Sequence, residues 1–177
     1  IDFTLSQGIT SVVGFDARHY IPILKHSVLA LRGAGAFSFG SKPNLYYLGG
    51  VNNSLFNSFD QNVPVANKDF AFKGVANNLR GFMTGVRNGT NFSLVNAELR
   101  IPFLQYLLGK NKGISFFRNM QLVGFADAGL AWYGWSPYSD KNPINVEYVD
   151  GGLVQLQINY FRDPLVAAYG LGFRTQI

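Results

Sequence analysis

Met120-Gln121-Leu122-Val123-Gly124-Phe125-Ala126-Asp127-Ala128-Gly129-Leu130-Ala131-Trp132 alternates with period two along its whole length. Met120, Leu122, Gly124, Ala126, Ala128, Leu130 and Trp132 share a wholly apolar face. Gln121, Phe125, Asp127 and Tyr133 fall on the other. That is the pattern of a β-strand with one face in an apolar environment. The carboxylate at its centre is the unusual element, because a charge there needs water or a cation facing it.

The same pattern recurs on either side. Between Ile9 and Pro22 one face is mixed polar and the other mostly apolar, and Pro22 to His26 reads as a tight turn. Val28 to Phe39 follows, with Leu29, Leu31, Phe37 and Phe39 on one face and Arg32, Ser38, Ala30, Ala34 and Ala36 on the other. From Ser93, Val95, Ala97, Leu99, Ile101 and Phe103 alternate with Asn96, Glu98 and Arg100. A basic turn with Lys110, Lys112 and Arg118 then leads into the strand quoted above. Leu165 to Thr175 closes the series, with Leu165, Ala167, Tyr169, Leu171 and Phe173 together. Residues 153–161 form a sixth candidate.

A soluble sandwich alternates too, but its outward face is charged and its inward face is rich in Val, Ile and Leu. Here the polar faces hold small residues, amides and a few opposed charges. The apolar faces are topped by Phe15, Phe37, Phe103, Trp132 and Tyr169 near strand ends. That combination predicts an all-β fold, a transmembrane antiparallel β-barrel with lipid outside, a hydrated lumen inside and aromatics at the interfaces. Five or six strands are too few to close, since an open edge in lipid leaves backbone groups unpaired. The 177 residues therefore read as one partial barrel domain.

Composition agrees. The chain is 47% hydrophobic and only 14% charged, with 16 Phe, 9 Tyr and 2 Trp, which excludes a disordered tail. The net charge of +5 is spread singly over strand ends and turns, so nucleic acid is not the expected partner. Without cysteine there is neither a disulfide framework nor a thiolate metal site. No apolar run reaches the ~18 residues of a transmembrane helix. His19 and His26 flank a turn with no serine and carboxylate arranged for catalysis, so no enzyme is expected. Asn88-Gly89-Thr90 and Asn91-Phe92-Ser93 match the glycosylation pattern and read as loop residues.

Residues 40–90 are a long connection rich in Gly, Asn, Ser and Pro, yet they carry Phe56, Phe59, Phe70, Phe72 and Phe82. A structureless linker would not hold so many aromatics, so this loop is expected to fold and pack against something. Arg80 lies within it, in Leu79-Arg80-Gly81-Phe82. Strand parity points Asp127 and Glu98 to the polar side of neighbouring strands. Two carboxylates there need a cation, and an arginine fork can serve both. Gly81 would allow the tight turn, and Phe82 would anchor the tip. The alternative is that Arg80 is a solvated loop arginine and Asp127 pairs with another arginine of the lumen.

Three segments, taken in order, resemble the barrel of the BamA/TamA-like outer-membrane superfamily, the bacterial surface antigen barrel. Leu79-Arg80-Gly81-Phe82 is similar to its V/I-R-G-F/Y signature, with Leu79 as a conservative departure. Phe125-Ala126-Asp127-Ala128-Gly129 is similar to its F/G-x-D-x-G signature, and Asn96-Ala97-Glu98-Leu99-Arg100-Ile101-Pro102 resembles its twelfth strand. The resemblance implies part of a sixteen-stranded barrel, roughly strands ten to fourteen with the long sixth surface loop folded into the lumen. It also implies a loop-to-lumen latch formed by Arg80, Gly81, Phe82, Glu98, Asp127 and Gly129.

By the same resemblance the protein would be an integral barrel of a Gram-negative outer membrane, acting in insertion, assembly or translocation of proteins. The alternative is a barrel anchor or pore for a fused or associated domain, such as a lipase or secretion component. Implied partners are outer-membrane lipids and lipopolysaccharide, client outer-membrane or secreted proteins, and lipoprotein or other complex subunits. No cofactor and no metal are implied. Family barrels continue past the point where this chain stops, at Gln176-Ile177, and Ile1-Asp2-Phe3 without methionine implies sequence upstream.

Overall fold

The computed structural model describes residues 8–51, 58–76, 79–108, 120–139, 142, 146–150, 155–159 and 163–175. The basic turn with Lys110, Lys112 and Arg118 lies outside them, as do both chain ends. The elements are β1 (Thr10–Leu24), β2 (Ser27–Gly40), β3 (Leu45–Leu48), β4 (Lys73–Ala76), β5 (Arg87–Gly89), β6 (Asn91–Ile101), α1 (Phe103–Leu108), β7 (Gln121–Trp132), β8 (Val146–Asp150), β9 (Gln155–Asn159) and β10 (Leu165–Arg174). The fold is all-β and dominated by one antiparallel sheet of order β1-β2-β6-β7-β10.

The register of that sheet places side chains in transverse rows. One row runs Asp16, Ala34, Leu94, Gly129, Val166 from β1 to β10. The next runs Arg18, Arg32, Asn96, Asp127, Ala168, and a third Tyr20, Ala30, Glu98, Phe125, Gly170. All three share one face, called inner here because the 40–90 connection packs on it. The opposite, outer face carries Val13, Phe15, Phe37, Val95, Leu165, Leu171 and Phe173, all exposed. Tyr169 on that face is 90% exposed and Leu171 80%. So broad an apolar surface marks a contact with an apolar medium or partner.

The long connection contains more regular structure than its composition suggests. β3 pairs with β4 in parallel and with β5 antiparallel, giving a small sheet of order β4-β3-β5. Its fully buried Leu48, together with Ala76 and Leu79, packs onto Ala34, Leu94, Ala131 and Val166 of the inner face. Phe82, Val86 and Phe92 flank this cluster. Full burial of a leucine such as Leu79 is worth about 1.5–3 kcal/mol. Apolar packing therefore seats the loop before any charge is considered.

Several local expectations are corrected. β1 continues through Pro22 to Leu24; proline is tolerated there because the ladder is interrupted by a bulge between Pro22 and Leu24. β6 stops at Ile101 because Pro102 cannot donate to the ladder. Phe103 therefore opens helix α1 and meets Phe173 with ring centroids 6.1 Å apart. Tyr106 of α1 bonds to Ser27 Oγ at 3.0 Å and holds the β1–β2 turn. Trp132 is 5% exposed and packs edge-on to Phe37, so the exposed indole at this end belongs to Trp135. Within 153–161, β9 pairs with β8 and forms no strand of the main sheet. Asn88 and Asn91 are not loop residues: they lie buried in β5 and β6.

Candidate functional site

Asp127 sits mid-strand on β7, its side chain wholly shielded from solvent. A buried carboxylate must be saturated with donors, and this one is. Arg80 gives it Nε–H to Oδ2 at 2.7 Å and Nη2–H to Oδ1 at 2.8 Å, a planar two-bond fork. The Arg80 backbone N–H adds a bond to Oδ2 at 3.1 Å, and Asn96 Nδ2 donates to Oδ1 at 2.8 Å. The third arm of the guanidinium, Nη1, donates to Glu98 Oε2 at 2.5 Å. Hydrogen bonding to Asp127 holds the Arg80 guanidinium firmly ionised, its pKa above the ordinary value.

Glu98 also accepts from Arg100 Nε at 2.6 Å, and Arg174 Nη1 lies 3.9 Å away. The guanidinium carbon of Arg80 stands 4.1 Å from the centre of the Phe125 ring, a cation–π contact. Phe125 can lie flat there because its cross-strand neighbour is Gly170. A Cβ at Gly170 would fall 2.8 Å from Phe125 Cζ.

The glycines of the expected constellation have distinct physical roles. Gly81 has φ +84°, a left-handed conformation that β-carbons disfavour, and it turns the chain directly after Arg80. Gly129 lies under the loop: a Cβ there would meet Leu48 Cδ2 at 3.0 Å and Leu79 Cδ1 at 3.4 Å. Phe82 is half-buried against the apolar cluster between loop and sheet. The structure thus brings Arg80, Gly81, Phe82, Glu98, Asp127 and Gly129 to one place. In this geometry Arg80 is not a solvated loop arginine, and Asp127 has no other arginine partner among the described residues.

Asn96, Phe125, Arg100 and Gly170 belong to the same site without having been expected there. Their signal is cross-strand register, which places Asn96 opposite Asp127 and Glu98 opposite Phe125. A second anchor closes the loop's far end, where Tyr133 donates to Asn88 Oδ1 and accepts from the Ala66 N–H at 3.4 Å. Burial pushes the Tyr133 phenol well above the ordinary tyrosine range.

The arrangement is a charge-assisted clasp with no nucleophile–base pair. Among the described residues no three His, Asp or Glu side chains converge as a metal-ligand set. No helix among them is long and apolar enough to cross a membrane, which says nothing about crossing by strands. Comparison with family models, curated proteins and solved structures yields no match.

Proposed function

We propose that this chain is part of a transmembrane β-barrel of the BamA/TamA-like superfamily, acting in insertion, assembly or translocation of proteins at the outer membrane. The observation that carries the reading is the Arg80 fork on Asp127 and Glu98. It joins the two segments that resemble the family's loop and strand signatures, in the orientation that the resemblance implies. The amphipathic sheet supports it as well. Its strands are 10–15 residues long, and crossing a bilayer at a tilt takes about 9–11. Its outer face carries exposed Val13, Phe15, Phe37, Val95, Leu171 and Phe173. Its inner face is charged and covered by a folded loop.

In this reading the loop fills the lumen and Arg80 latches it to the wall, keeping the interior shaped and the strands in register. Client strands and secreted segments would be handled against that fixed interior, with lipid and lipopolysaccharide contacting the outer face. Depletion of the full-length protein from growing cells tests the function. Loss of many unrelated outer-membrane proteins is the expected result. Loss of a single cargo, with the rest of the outer membrane intact, would contradict it and favour a barrel anchor or pore.

A further inference from the structure

We propose that the cavity between the loop and strands β1, β2 and β6 is an oxyanion-binding site, taking a carboxylate or phosphate group. The cavity holds about 280 Å³ and is lined by Arg18, Arg32, Arg80 and Arg100, with Tyr20 and Glu98. Four guanidinium groups on one cavity are more than its carboxylates can match. Asp16 alone serves both Arg18 and Arg32, at 3.1 and 2.8 Å. Glu98 serves Arg80 and Arg100, with Arg174 nearby, and Asp127 is spent on Arg80. The network therefore keeps unmatched positive charge.

Register makes this more than a scatter of surface arginines. Arg18 and Arg32 stand directly opposite each other across the β1–β2 ladder. Like charges in that position repel, and the single carboxylate of Asp16 between them offsets only one of the two. Arg32 commits Nε and Nη2 to Asp16, and its Nη1 is buried without an acceptor. That buried Nη1 does not open on the cavity, so Arg32 contributes its charge to the site rather than a hydrogen bond from this atom. Arg18 and Arg100 are part-exposed and keep N–H groups that the carboxylates do not use. Arginine forks match the geometry of carboxylate and phosphate oxygens.

Size limits the ligand. The space has room for a small oxyanion with surrounding waters, and none for a folded domain. The sign of the field excludes a divalent cation.

Isothermal titration of inorganic phosphate into the full-length protein in detergent micelles, at constant ionic strength, tests the site. Saturable binding is expected, weakened about tenfold or more by Arg32→Gln and by Arg18→Gln. An acetate titration in parallel shows which oxyanion the site prefers. Heat-modifiable gel migration of each variant reports folding independently, so a lost barrel is not read as lost binding. Three results would overturn the proposal. Folded protein that binds no phosphate has its excess charge matched elsewhere in the protein. Binding unchanged by both substitutions means an adventitious ion only. Equal binding of chloride would show no oxyanion site.

Discussion

Arg80 carries three kinds of contact at once: a two-bond fork, a third charged bond and a cation–π face. Removing it leaves Asp127 buried and uncompensated, so Arg80→Ala should cost about 3–5 kcal/mol. The lower end is expected because Arg80 and Glu98 retain some water contact, at 21% and 16% side-chain exposure. Arg80→Lys should recover little, since an ammonium cannot form the fork. Unfolding of the refolded protein in lipid vesicles, as a double-mutant cycle with Asp127→Ala, checks this; additive effects would show that the pairing carries no energy. Gly129→Ala should act sterically, its Cβ pressing on Leu48 and Leu79, at a cost of about 1–3 kcal/mol. Increased protease cleavage of the loop would report it, and unchanged cleavage would refute it. Asp127 stood out in the sequence because a carboxylate mid-strand is anomalous, whereas Arg80 kept two readings until the family resemblance singled it out. Asn96 and Gly170 did not stand out, because an amide and a glycine are ordinary in any strand.

Register decides what the elements contribute, and it was the least legible part of the sequence. Alternation along β6 and β7 showed which residues face inward, but not that Asn96 lies opposite Asp127. The β4-β3-β5 sheet was hidden for another reason: its strands are three or four residues long, too short for periodicity to register. The loop's hold at Tyr133 gives a pH prediction. Its buried phenol has a folded pKa raised above the unfolded value, so the neutral form stabilises the fold. That contribution is complete below the ordinary phenol pKa of about 10 and is lost progressively as pH rises above it. Protease sensitivity of residues 58–76 should therefore rise above about pH 10. In Tyr133→Phe it should already be raised at neutral pH, with Asn88 Oδ1 unpaired, and show no such alkaline step. An identical alkaline step in that variant would place the titrating group elsewhere.

For the whole molecule, the outer and inner faces of the sheet should differ in their response to charge. Leu171→Arg should cost about 2–4 kcal/mol in a bilayer if that position is near mid-membrane, and far less in water. Unfolding of the wild type and the variant in vesicles would show it; a small effect would argue for a water-facing surface. The class of fold was legible because apolar and polar faces alternate through every long strand, and the closed shape was not, since five strands define a wall and not its closure. The central claim is that this wall has lipid on one side and a hydrated, loop-filled interior on the other. Its most direct test is spin-label accessibility at single cysteines along β10, in a chain with no native cysteine. With the full-length protein in bilayers, labels at 169, 171 and 173 should collide with oxygen, and a label at 172, on the inner face where an added side chain has open space, should meet water-soluble nickel relaxant instead. Water-soluble nickel relaxant reaching 169, 171 and 173 instead would contradict the account.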